Sequence, residues 1–384
     1  MNRNKSKQAT EQKCTTTYMP LGKPWLLIFS VILITLLTIL PGGTFAASGA
    51  PQHEAQPRKI QDWSVITPSN VADLQPVFKL SGHKKDVTAI AISPDSTLLA
   101  SGSEDGEVRV WDAASGDLLL NLQAHPYEIT SLVWSPDGST LATATTDRFI
   151  KFWNPQSGEL TKTIEARLLD YVLEIRFSPD GKHLAIAGPE CLVVLRDVES
   201  GILYKTYHQR HCLPRSGGSV YSWGIDFDQQ GEHIILGFSQ PACNCGSIQN
   251  WETDVIASNE LVYGFSLPVV DLDLSPDGDN IAIAMFATNF IRVIDSGKIY
   301  PLHDLQGHMF RVNSVHFSPD GQLLASASND RRIGFWDTDS WELIKLIPAH
   351  VDAVTQLQFA ADGTYLASAS RDGLVIIWGV DNSG

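Results

Sequence analysis

A short phrase that reads Ser-Pro-Asp-Gly, or a close variant of it, recurs seven times along the chain and constrains the fold more than any other feature. The fourth residue of the phrase is Ser96 in the first unit and Gly363 in the last, and the successive spacings are 42, 43, 50, 47, 43 and 42 residues. A second landmark, Trp-Asp or a relative of it, follows about 15 residues after each phrase. A fixed period of this length marks one supersecondary unit that is repeated along the chain. The sequence therefore predicts seven similar units.

Each unit is predicted to consist of short β-strands. In unit 1, the alternating segment Val-Thr-Ala-Ile-Ala-Ile ends at the phrase at 93–96, and three further short segments are separated by turns at 104–106 and 114–116. Pro, Asp and Gly suit tight turns, and alternating β-branched residues suit strands. The fold class is therefore predicted to be all-β, with four strands per unit, named a, b, c and d in chain order.

Four strands in about 42 residues, together with Gly-His at 82–83 and 307–308 and Trp-Asp at 111–112 and 336–337, resemble the WD-repeat β-propeller family. The resemblance covers residues 76–384 and implies a single seven-bladed β-propeller with four-stranded antiparallel blades. Unit 7 has only three strands, whereas an orphan segment at 76–80 precedes the first Gly-His. We predict that this N-terminal strand completes the last blade and closes the ring, which removes exposed sheet edges.

The first 47 residues have the features of an export signal or a membrane anchor. Five Lys or Arg residues precede an apolar run from Trp25 to Leu40, and small residues follow it. This run of 16 residues is slightly long for a cleaved signal and short for a span of about 20 residues, so both alternatives stay open. Either one places the propeller outside the cytoplasm, secreted or membrane-anchored. Residues 48–75 are predicted to form a linker and a short helical turn over 68–74, which begins at Thr67-Pro68.

The distribution of charge disfavours several classes of partner. The chain carries a net charge of −15, of which the first 47 residues contribute +4, so the remainder carries −19. Nucleic acids and anionic membrane surfaces require a basic footprint, so contact with a membrane is expected only through an uncleaved N-terminal segment. The sequence contains no Walker-type loop, HExxH or G-x-S-x-G motif, and its acidic residues fall at turns without obvious pairing. We therefore predict a non-enzymatic protein with no cofactor and no metal.

Four units carry a His, a Ser or Thr, an Asp and a Trp at equivalent positions, and each such set is called a tetrad below. The tetrads are His83, Ser101, Asp105 and Trp111 in unit 1; His125, Thr143, Asp147 and Trp153 in unit 2; His308, Ser326, Asp330 and Trp336 in unit 6; and His350, Ser368, Asp372 and Trp378 in unit 7. Hydrolases also combine Ser, His and Asp, but an enzyme does not need four equivalent nucleophiles. In the family that the chain resembles, these residue types form a buried hydrogen-bond chain in each blade, so we predict a structural role.

Units 3, 4 and 5 depart from the tetrad pattern. Arg196 and Ile294 stand where units 3 and 5 should carry Trp, and unit 4 keeps Trp251 but carries two insertions, one within 208–218 and one before Trp251. Two interpretations stay open. These blades drifted in sequence while they remained packed, or their insertions build a binding surface on a rigid scaffold.

The cysteines of the propeller are predicted to gather at one end of units 3 and 4. We call this end the top, because the b–c turns and d–a connections both lie there. The four cysteines are Cys191, Cys212, Cys243 and Cys245. An even number of cysteines in an exported domain favours two disulfides, and cysteines separated by one residue pair poorly with each other. Cys243 and Cys245 are therefore expected to pair with Cys191 and Cys212, and both connectivities stay open.

Two alternatives to the disulfides remain, namely a metal site and free thiols. The metal site would use Cys212, Cys243 and Cys245 with His208 or His211, although Cys-x-Cys lacks the usual zinc spacing. In the alignment of the units, Cys245-Gly246 takes the place of the turn residues Asp105-Gly106.

The resemblance implies a scaffold that binds a protein or peptide through the top face, and we expect a monomeric propeller. Candidate contact residues follow the Gly-His positions or precede the turn Asp, and Tyr and Arg are frequent anchors of interfaces. These candidates are Lys85, Glu104, Tyr127, Phe310, Arg311 and Arg371. The alternative function is a propeller that binds a small ligand or a metal, or that is catalytic, through the loops of blades 3 and 4.

Overall fold

In the computed structural model, the described residues are 63–167, 169–189, 192–208, 221–240, 245–253, 261–265, 267–298 and 300–381. They form seven antiparallel sheets, and the innermost strand of each sheet contacts the innermost strand of the next, from the first sheet round to the seventh and back. The structure confirms the prediction of an all-β propeller with seven four-stranded blades.

Two strands precede blade 1, namely β1 (Trp63–Ser64) and β2 (Gln75–Leu80). In blades 1 to 3, strands a to d are β3 (Val87–Ile92), β4 (Leu98–Ser103), β5 (Glu107–Asp112) and β6 (Leu118–Gln123); β7 (Ile129–Trp134), β8 (Leu141–Thr145), β9 (Phe149–Trp153) and β10 (Leu160–Glu165); and β11 (Glu174–Phe177), β12 (His183–Ala187), β13 (Leu192–Asp197) and β14 (Leu203–His208).

In blades 4 to 6, the corresponding strands are β15 (Tyr221–Phe227), β16 (His233–Gln240), β17 (Cys245–Glu252) and β18 (Leu261–Phe265); β19 (Val269–Leu274), β20 (Asn280–Met285), β21 (Phe290–Asp295) and β22 (Pro301–Gln306); and β23 (Val312–Phe317), β24 (Leu323–Ser328), β25 (Arg332–Asp337) and β26 (Leu343–Pro348). Blade 7 contributes β27 (Val354–Phe359), β28 (Tyr365–Ser370) and β29 (Val375–Asp381).

The N-terminal strand closes the ring as the sequence predicts. Strand β2 pairs antiparallel with β29, with Leu80 opposite Val375, and so supplies the fourth strand of blade 7. Strand β1, in the segment that the sequence analysis treats as a linker, pairs with the last two residues of β29. The buried Trp63 ring lies edge-on to Tyr365, with 6.1 Å between the ring centroids.

The predicted helical turn over 68–74 is reduced to a three-residue 3-10 helix, Val71–Asp73. The side chain of Asn70, rather than that of Thr67, organises its entry, because Asn70 Oδ1 accepts a hydrogen bond from the Thr67 backbone N–H at 2.8 Å. Val71 is fully buried in the apolar cluster between blades 6 and 7.

The repeated Ser-Pro-Asp-Gly phrase is the turn between strands a and b, and its residue types are explained by local hydrogen bonds. In blade 2, Ser135 Oγ donates to Asp137 Oδ1 at 2.6 Å, and the same carboxylate oxygen accepts the Ser139 backbone N–H at 3.0 Å. Gly138 has a φ of 70°, a conformation that glycine adopts without strain.

The hydrophobic core is divided among the junctions between blades. Each junction contains one cluster of buried residues, and in each cluster side chains from two neighbouring blades pack together. Leu80 of β2 lies in the cluster between blades 7 and 1, beside Trp111. A single blade cannot bury its faces alone, so the ring must close for the core to form.

The predicted N-terminal apolar segment, Trp25–Leu40, lies outside the described residues, as does everything before Trp63. Within the described ranges, no helix has the length and apolar character needed to span a bilayer.

Candidate functional site

The tetrad of blade 6 is a continuous hydrogen-bond chain from the top connection to strand c. His308 Nδ1 lies 2.9 Å from Asp330 Oδ2, and His308 Nε2 lies 2.8 Å from Ser326 Oγ. Trp336 Nε1 donates to the same Ser326 oxygen at 3.0 Å. Burial alone would raise the pKa of Asp330, but hydrogen bonds from His308 and from the backbone hold it below its usual value.

Blade 7 repeats this chain, and blade 2 modifies it. His350 connects Asp372 at 3.1 Å with Ser368 at 2.8 Å, and Trp378 Nε1 donates to Ser368 Oγ. In blade 2, His125 and Trp153 both meet Thr143 Oγ1, at 2.9 and 3.0 Å. The contact from His125 Nδ1 to Asp147 lengthens to 3.6 Å, because Asp147 accepts a short hydrogen bond from Thr145 Oγ1.

The tetrad of blade 1 is incomplete. His83 Nε2 contacts Ser101 Oγ at 2.7 Å and Trp111 Nε1 donates to Ser101 Oγ at 2.9 Å, but His83 Nδ1 has no hydrogen-bond partner among the described residues. Asp105 accepts the backbone N–H groups of Glu107 at 3.0 Å and of Lys84 at 3.3 Å, as the tetrad Asp residues of blades 6 and 7 do at the equivalent positions. Burial, with a further contribution from the charge of Arg109, lowers the pKa of His83 to about 4.

The tetrad hydroxyls are inaccessible to a substrate. Ser101, Thr143, Ser326 and Ser368 have 0 % of their surface exposed, and each hydroxyl oxygen accepts a hydrogen bond from the Trp of its own blade. A nucleophile must reach the bond that it attacks. The geometry of these four residues therefore supports a structural role and not hydrolysis.

Blades 3 and 4 lack this chain for identifiable reasons. Leu236 occupies the strand position of the tetrad hydroxyl in blade 4, and Trp251 Nε1 consequently has no acceptor among the described residues. In blade 3, Arg196 stands at the Trp position, and its Nη1 donates to the Gly201 carbonyl at 2.9 Å.

The sequence analysis missed a set of charged residues that line the central channel. Their positions are two and four residues before the turn between strands a and b, where blade 1 has only Ala91 and Ala89. The side chains at these positions in blades 3 to 6 are Glu174, Arg176, Asp226, Asp271, Asp273, Ser314 and His316. Most of them surround a cavity of about 190 Å³. Comparing this one position pair across the seven units would have found them.

Channel side chains also join each blade to the next. At every junction, a side chain on the inner strand of one blade bonds a backbone group on the inner strand of the following blade. The bonds from blade 1 onward are Thr88 to Ile129 O, Ser131 to Ile175 N, Glu174 to Gly224 N, Asp226 to Leu274 N, Asp271 to Val315 N, Asn313 to Val354 O, and Gln356 to Ile90 N. Asp273 and Gln358 add second bonds at two of these junctions.

Burial raises the pKa of three channel carboxylates, those of Glu174, Asp271 and Asp273. Burial raises the pKa of Asp271 to about 8, and the nearby Glu174 carboxylate adds to this shift. Burial and the neighbouring Asp226 raise the pKa of Asp273 as well. Arg176 offsets part of the negative charge, since its Nη2 lies 3.7 Å from Glu174.

The six predicted contact residues all lie on connections at the top. Lys85, Glu104, Tyr127, Phe310 and Arg371 are exposed, and Arg311 is half-buried. Arg371 Nε lies 3.8 Å from an Asp86 carboxylate oxygen. The structure adds three exposed apolar side chains on top connections, namely Phe286, Met309 and Val351.

Two sectors of the top face differ in chemistry. Phe286 of blade 5 and Met309, Phe310 and Arg311 of blade 6 form the blade 5–6 patch, in which the Arg311 guanidinium lies 5.2 Å from the centre of the Phe286 ring.

The other sector, on blades 1 and 2, contains the carboxylates of Asp86, Glu104 and Glu128. Burial raises the pKa of Glu128, and the carboxylates of Glu104 and Asp86 raise it further.

The cysteine predictions fall almost entirely outside the described residues, as do His211 and the loops around it. Only the backbone of Cys245 is described, and it differs from the alignment. Cys245 and Gly246 lie within β17, opposite Gln240 and Ser239, and not in a turn. Disulfides and the alternative metal site on blades 3 and 4 stay predictions.

One group of metal-ligand residue types occurs among the described residues. Ligand atoms of His83, Asp105 and Glu107 lie within 4.8 Å of one another. Arg109 already bonds Glu107 at 3.0 Å, and the Lys84 ammonium lies 3.6 Å from it. Because Arg109 and Lys84 already form ion pairs with the Glu107 carboxylate, we assign no metal to this group.

The comparisons with known proteins agree with the fold. A family model described as "WD domain, G-beta repeat" matches residues 74–112, 116–154, 299–337 and 341–379, which end in the four blades that carry tetrads. Protein Mut11 of Chlamydomonas reinhardtii is 50% identical over 50 residues, which are 13% of this chain and 14% of that protein.

Two further relatives are similar over longer segments. Pre-mRNA-processing factor 19 of Bos taurus is 35% identical over 25% of this chain and 19% of its own length. The COMPASS component SWD3 of Saccharomyces cerevisiae is 37% identical over 24% of this chain and 29% of its own length. The matches thus span less than a third of each of these three relatives.

We expect the loss in free energy of unfolding to differ between tetrads when the histidine is replaced by alanine. His308→Ala removes one hydrogen-bond partner from the buried Asp330 carboxylate and one from the Ser326 hydroxyl, so it should lower the free energy of unfolding by about 3 kcal/mol. His83→Ala leaves no carboxylate unpaired and should cost about 1–3 kcal/mol. Urea unfolding of both variants checks this order. Equal costs, or unchanged stability with loss of an activity, would contradict the structural role.

The channel predicts that stability depends on pH through Asp271. Its raised pKa means that the folded protein binds this proton more tightly than the unfolded chain, whose pKa is about 3.9. The stabilisation is therefore present at acid pH and is lost as the pH rises through about 8. Asp271→Asn keeps an oxygen acceptor for Val315 N–H but does not titrate, so wild type should lose stability relative to this variant between pH 5 and pH 9.

Urea unfolding at pH 5, 7 and 9 measures this difference. Asp279→Asn, an exposed position of the same blade, is the matched control and should show no such trend. A constant difference between wild type and Asp271→Asn across this range would refute the account of the channel.

Proposed function

Because this chain belongs to the WD-repeat β-propeller family, we propose that it is an exported, non-enzymatic scaffold that binds a protein or peptide through the top face of its propeller. The support comes from the chemistry and rigidity of that face, from the kind of proteins that it resembles, and from its N-terminal sequence.

The exposed apolar side chains at the top carry this proposal. The exposed fraction is 66% for Met309, 60% for Phe310, 55% for Tyr127 and 80% for Val351. Apolar groups that gather on loops of a rigid scaffold mark binding sites, because their contact with water is unfavourable until a partner covers them.

The tetrads hold these connections in place. The carboxylate of Asp330 accepts the Met309 backbone N–H at 2.9 Å, and that of Asp372 accepts the Val351 backbone N–H at 3.1 Å. The tetrads of blades 6 and 7 therefore fix the loops that present Met309 and Val351. A binding surface that is ordered in advance loses less conformational entropy when a partner binds.

The relatives support a role in assemblies of proteins. One of them is named as a component of COMPASS, a multi-component assembly by its name. Repeat similarity of this kind, together with the absence of an accessible nucleophile among the tetrad residues, favours a scaffold over an enzyme.

The proposed location rests on the first 47 residues. Their basic segment, apolar run and small-residue region have the order of an export signal, and the uncleaved form would anchor the chain. The acidic charge of the remainder suits a soluble extracytoplasmic domain.

If the top face is the binding surface, substitutions there should abolish binding of the protein partner, and substitutions elsewhere should not. A double variant, Met309→Ser with Phe310→Ser, should abolish the capture of protein partners in a pull-down analysed by mass spectrometry. The control is Leu118→Ser with Leu119→Ser, two exposed leucines on the outer strand β6. Capture that survives the first variant as well as the second would contradict the role of Met309 and Phe310 in binding. A small ligand that raises the melting temperature by several degrees, with no protein partner, would favour the alternative function.

The N-terminal segment predicts that the propeller is exported. A C-terminal fusion to alkaline phosphatase, a reporter that is active only outside the reducing cytoplasm, should show activity in intact cells. Arginines in the apolar run, Leu33→Arg with Leu36→Arg, should abolish this activity at equal protein level. An inactive wild-type fusion at normal abundance would contradict export.

A further inference from the structure

The blade 5–6 patch is one continuous surface that two loops build together. Asn289 Nδ2 of blade 5 donates to the His308 carbonyl of blade 6 at 2.9 Å, which joins the turn after β20 to the connection before β23. Phe286 and Phe310 expose 47% and 60% of their surfaces, and the guanidinium of Arg311 lies over the Phe286 ring. The patch therefore combines apolar area with one positive charge.

The charge of Arg311 is not neutralised by the part of the chain that the structure describes. Its Nε–H donates to Asn313 Oδ1 at 2.9 Å, and its half-buried guanidinium has no carboxylate within ion-pair distance among those residues. Burial lowers the pKa of Arg311, and the positive charge of Arg371 lowers it further. Arginine presents five N–H donors in a planar fork, so the remaining four are free to bind a planar anion.

The rest of the top face limits which anion can bind. The connections of blades 1 and 2 carry the exposed cations Lys84, Lys85 and Arg148 beside the carboxylates of Asp86, Glu104 and Glu128, whereas the channel mouth below contains the carboxylates of Glu174 and Asp271. A highly charged anion would be repelled from these carboxylates. A single carboxylate matches the guanidinium of Arg311, which has no carboxylate partner among the described residues.

We propose that the blade 5–6 patch binds a peptide segment in which an aromatic or aliphatic side chain lies within two residues of a carboxylate. The apolar side chain packs against Phe286, Met309 and Phe310, and the carboxylate accepts hydrogen bonds from the Arg311 guanidinium. The short spacing follows from the patch, because Phe310 is adjacent to Arg311 in sequence and Phe286 is in contact with it. This inference rests on the proposed function and names the chemistry of its partner.

Selection from a random 12-residue peptide display library on the immobilised full-length chain tests this proposal. Enriched peptides should carry Asp or Glu within two residues of Phe, Leu, Ile or Met. Their affinity is then measured by fluorescence anisotropy against wild type, Arg311→Gln, Phe310→Ser and the control Arg148→Gln, an exposed arginine on the b–c turn of blade 2.

Arg311→Gln is expected to weaken binding about tenfold and Arg148→Gln to leave it unchanged. Higher salt should weaken binding to wild type and to Arg148→Gln, but not to Arg311→Gln. Replacing the peptide carboxylate by its amide should weaken binding to wild type by the same factor and have no further effect on Arg311→Gln.

Three results overturn the proposal, and they differ in what else they affect. Peptides that lack carboxylates, or that bind Arg311→Gln as tightly as wild type but lose affinity for Phe310→Ser, refute the carboxylate and leave the top face as the binding surface. Peptides whose affinity is unchanged by both substitutions refute the patch as the peptide site, whereas the rest of the top face, with Tyr127 and Val351, is tested by the pull-down of the proposed function. A selection that yields no peptide above a mock surface refutes peptide recognition, while capture of a folded partner remains possible under the proposed function.

Discussion

The structure depends on how the free edges of seven inner strands are satisfied. Each strand a pairs with strand b on one side only, and its other backbone edge faces the central channel. Unpaired backbone groups at such a position are costly. A side chain from the preceding blade meets this need at every junction, from Thr88 at the first to Gln356 at the last. These bonds run in one direction around the ring, so the same contacts that satisfy the edge also connect each blade to the next.

Two kinds of hydrogen-bond network therefore stabilise the ring, namely the tetrads within blades and the channel side chains between blades. Their distribution differs between the two halves of the repeat. Blades 1, 2, 6 and 7 carry tetrads within the blade, whereas blades 3 to 5 carry none of the full sets. The junctions that follow blades 3, 4 and 5 instead depend on Glu174, Asp226, Asp271 and Asp273. The blades without full tetrads are thus the ones whose charged channel groups bond across the junction. This arrangement makes those blades sensitive to pH, while the tetrad blades present the ordered top connections.

Features set by short sequence intervals can be predicted from the sequence, whereas features formed by contacts between distant blades cannot. The turns, the seven units, the tetrad residues and the closing strand all follow from intervals of a few to about 42 residues, so the repeat itself reveals them. The channel does not, because it exists only after seven inner strands meet. Asp271 and Asp273 alternate with apolar residues as any half-exposed strand would, and nothing in that segment shows that their face is enclosed. Trp63 was missed for a related reason, since its two-residue strand pairs with residues more than 300 positions away. For the contact candidates, Phe310 and Arg311 are found by alignment with the Gly-His positions, but Phe286 is not, because it joins them only through a ring contact between blades.

The central claim is that side chains of one blade hydrogen-bond the inner-strand backbone of the next. Hydrogen–deuterium exchange at single-residue resolution measures this directly, since the amides of Ile90, Val315 and Phe317 face the channel and bond Gln356, Asp271 and Asp273. The account predicts that these three amides exchange as slowly as amides paired between strands a and b of the same blades. Exchange at the rate of amides on the exposed outer edge of β6 would show that the channel side chains do not hold the ring together.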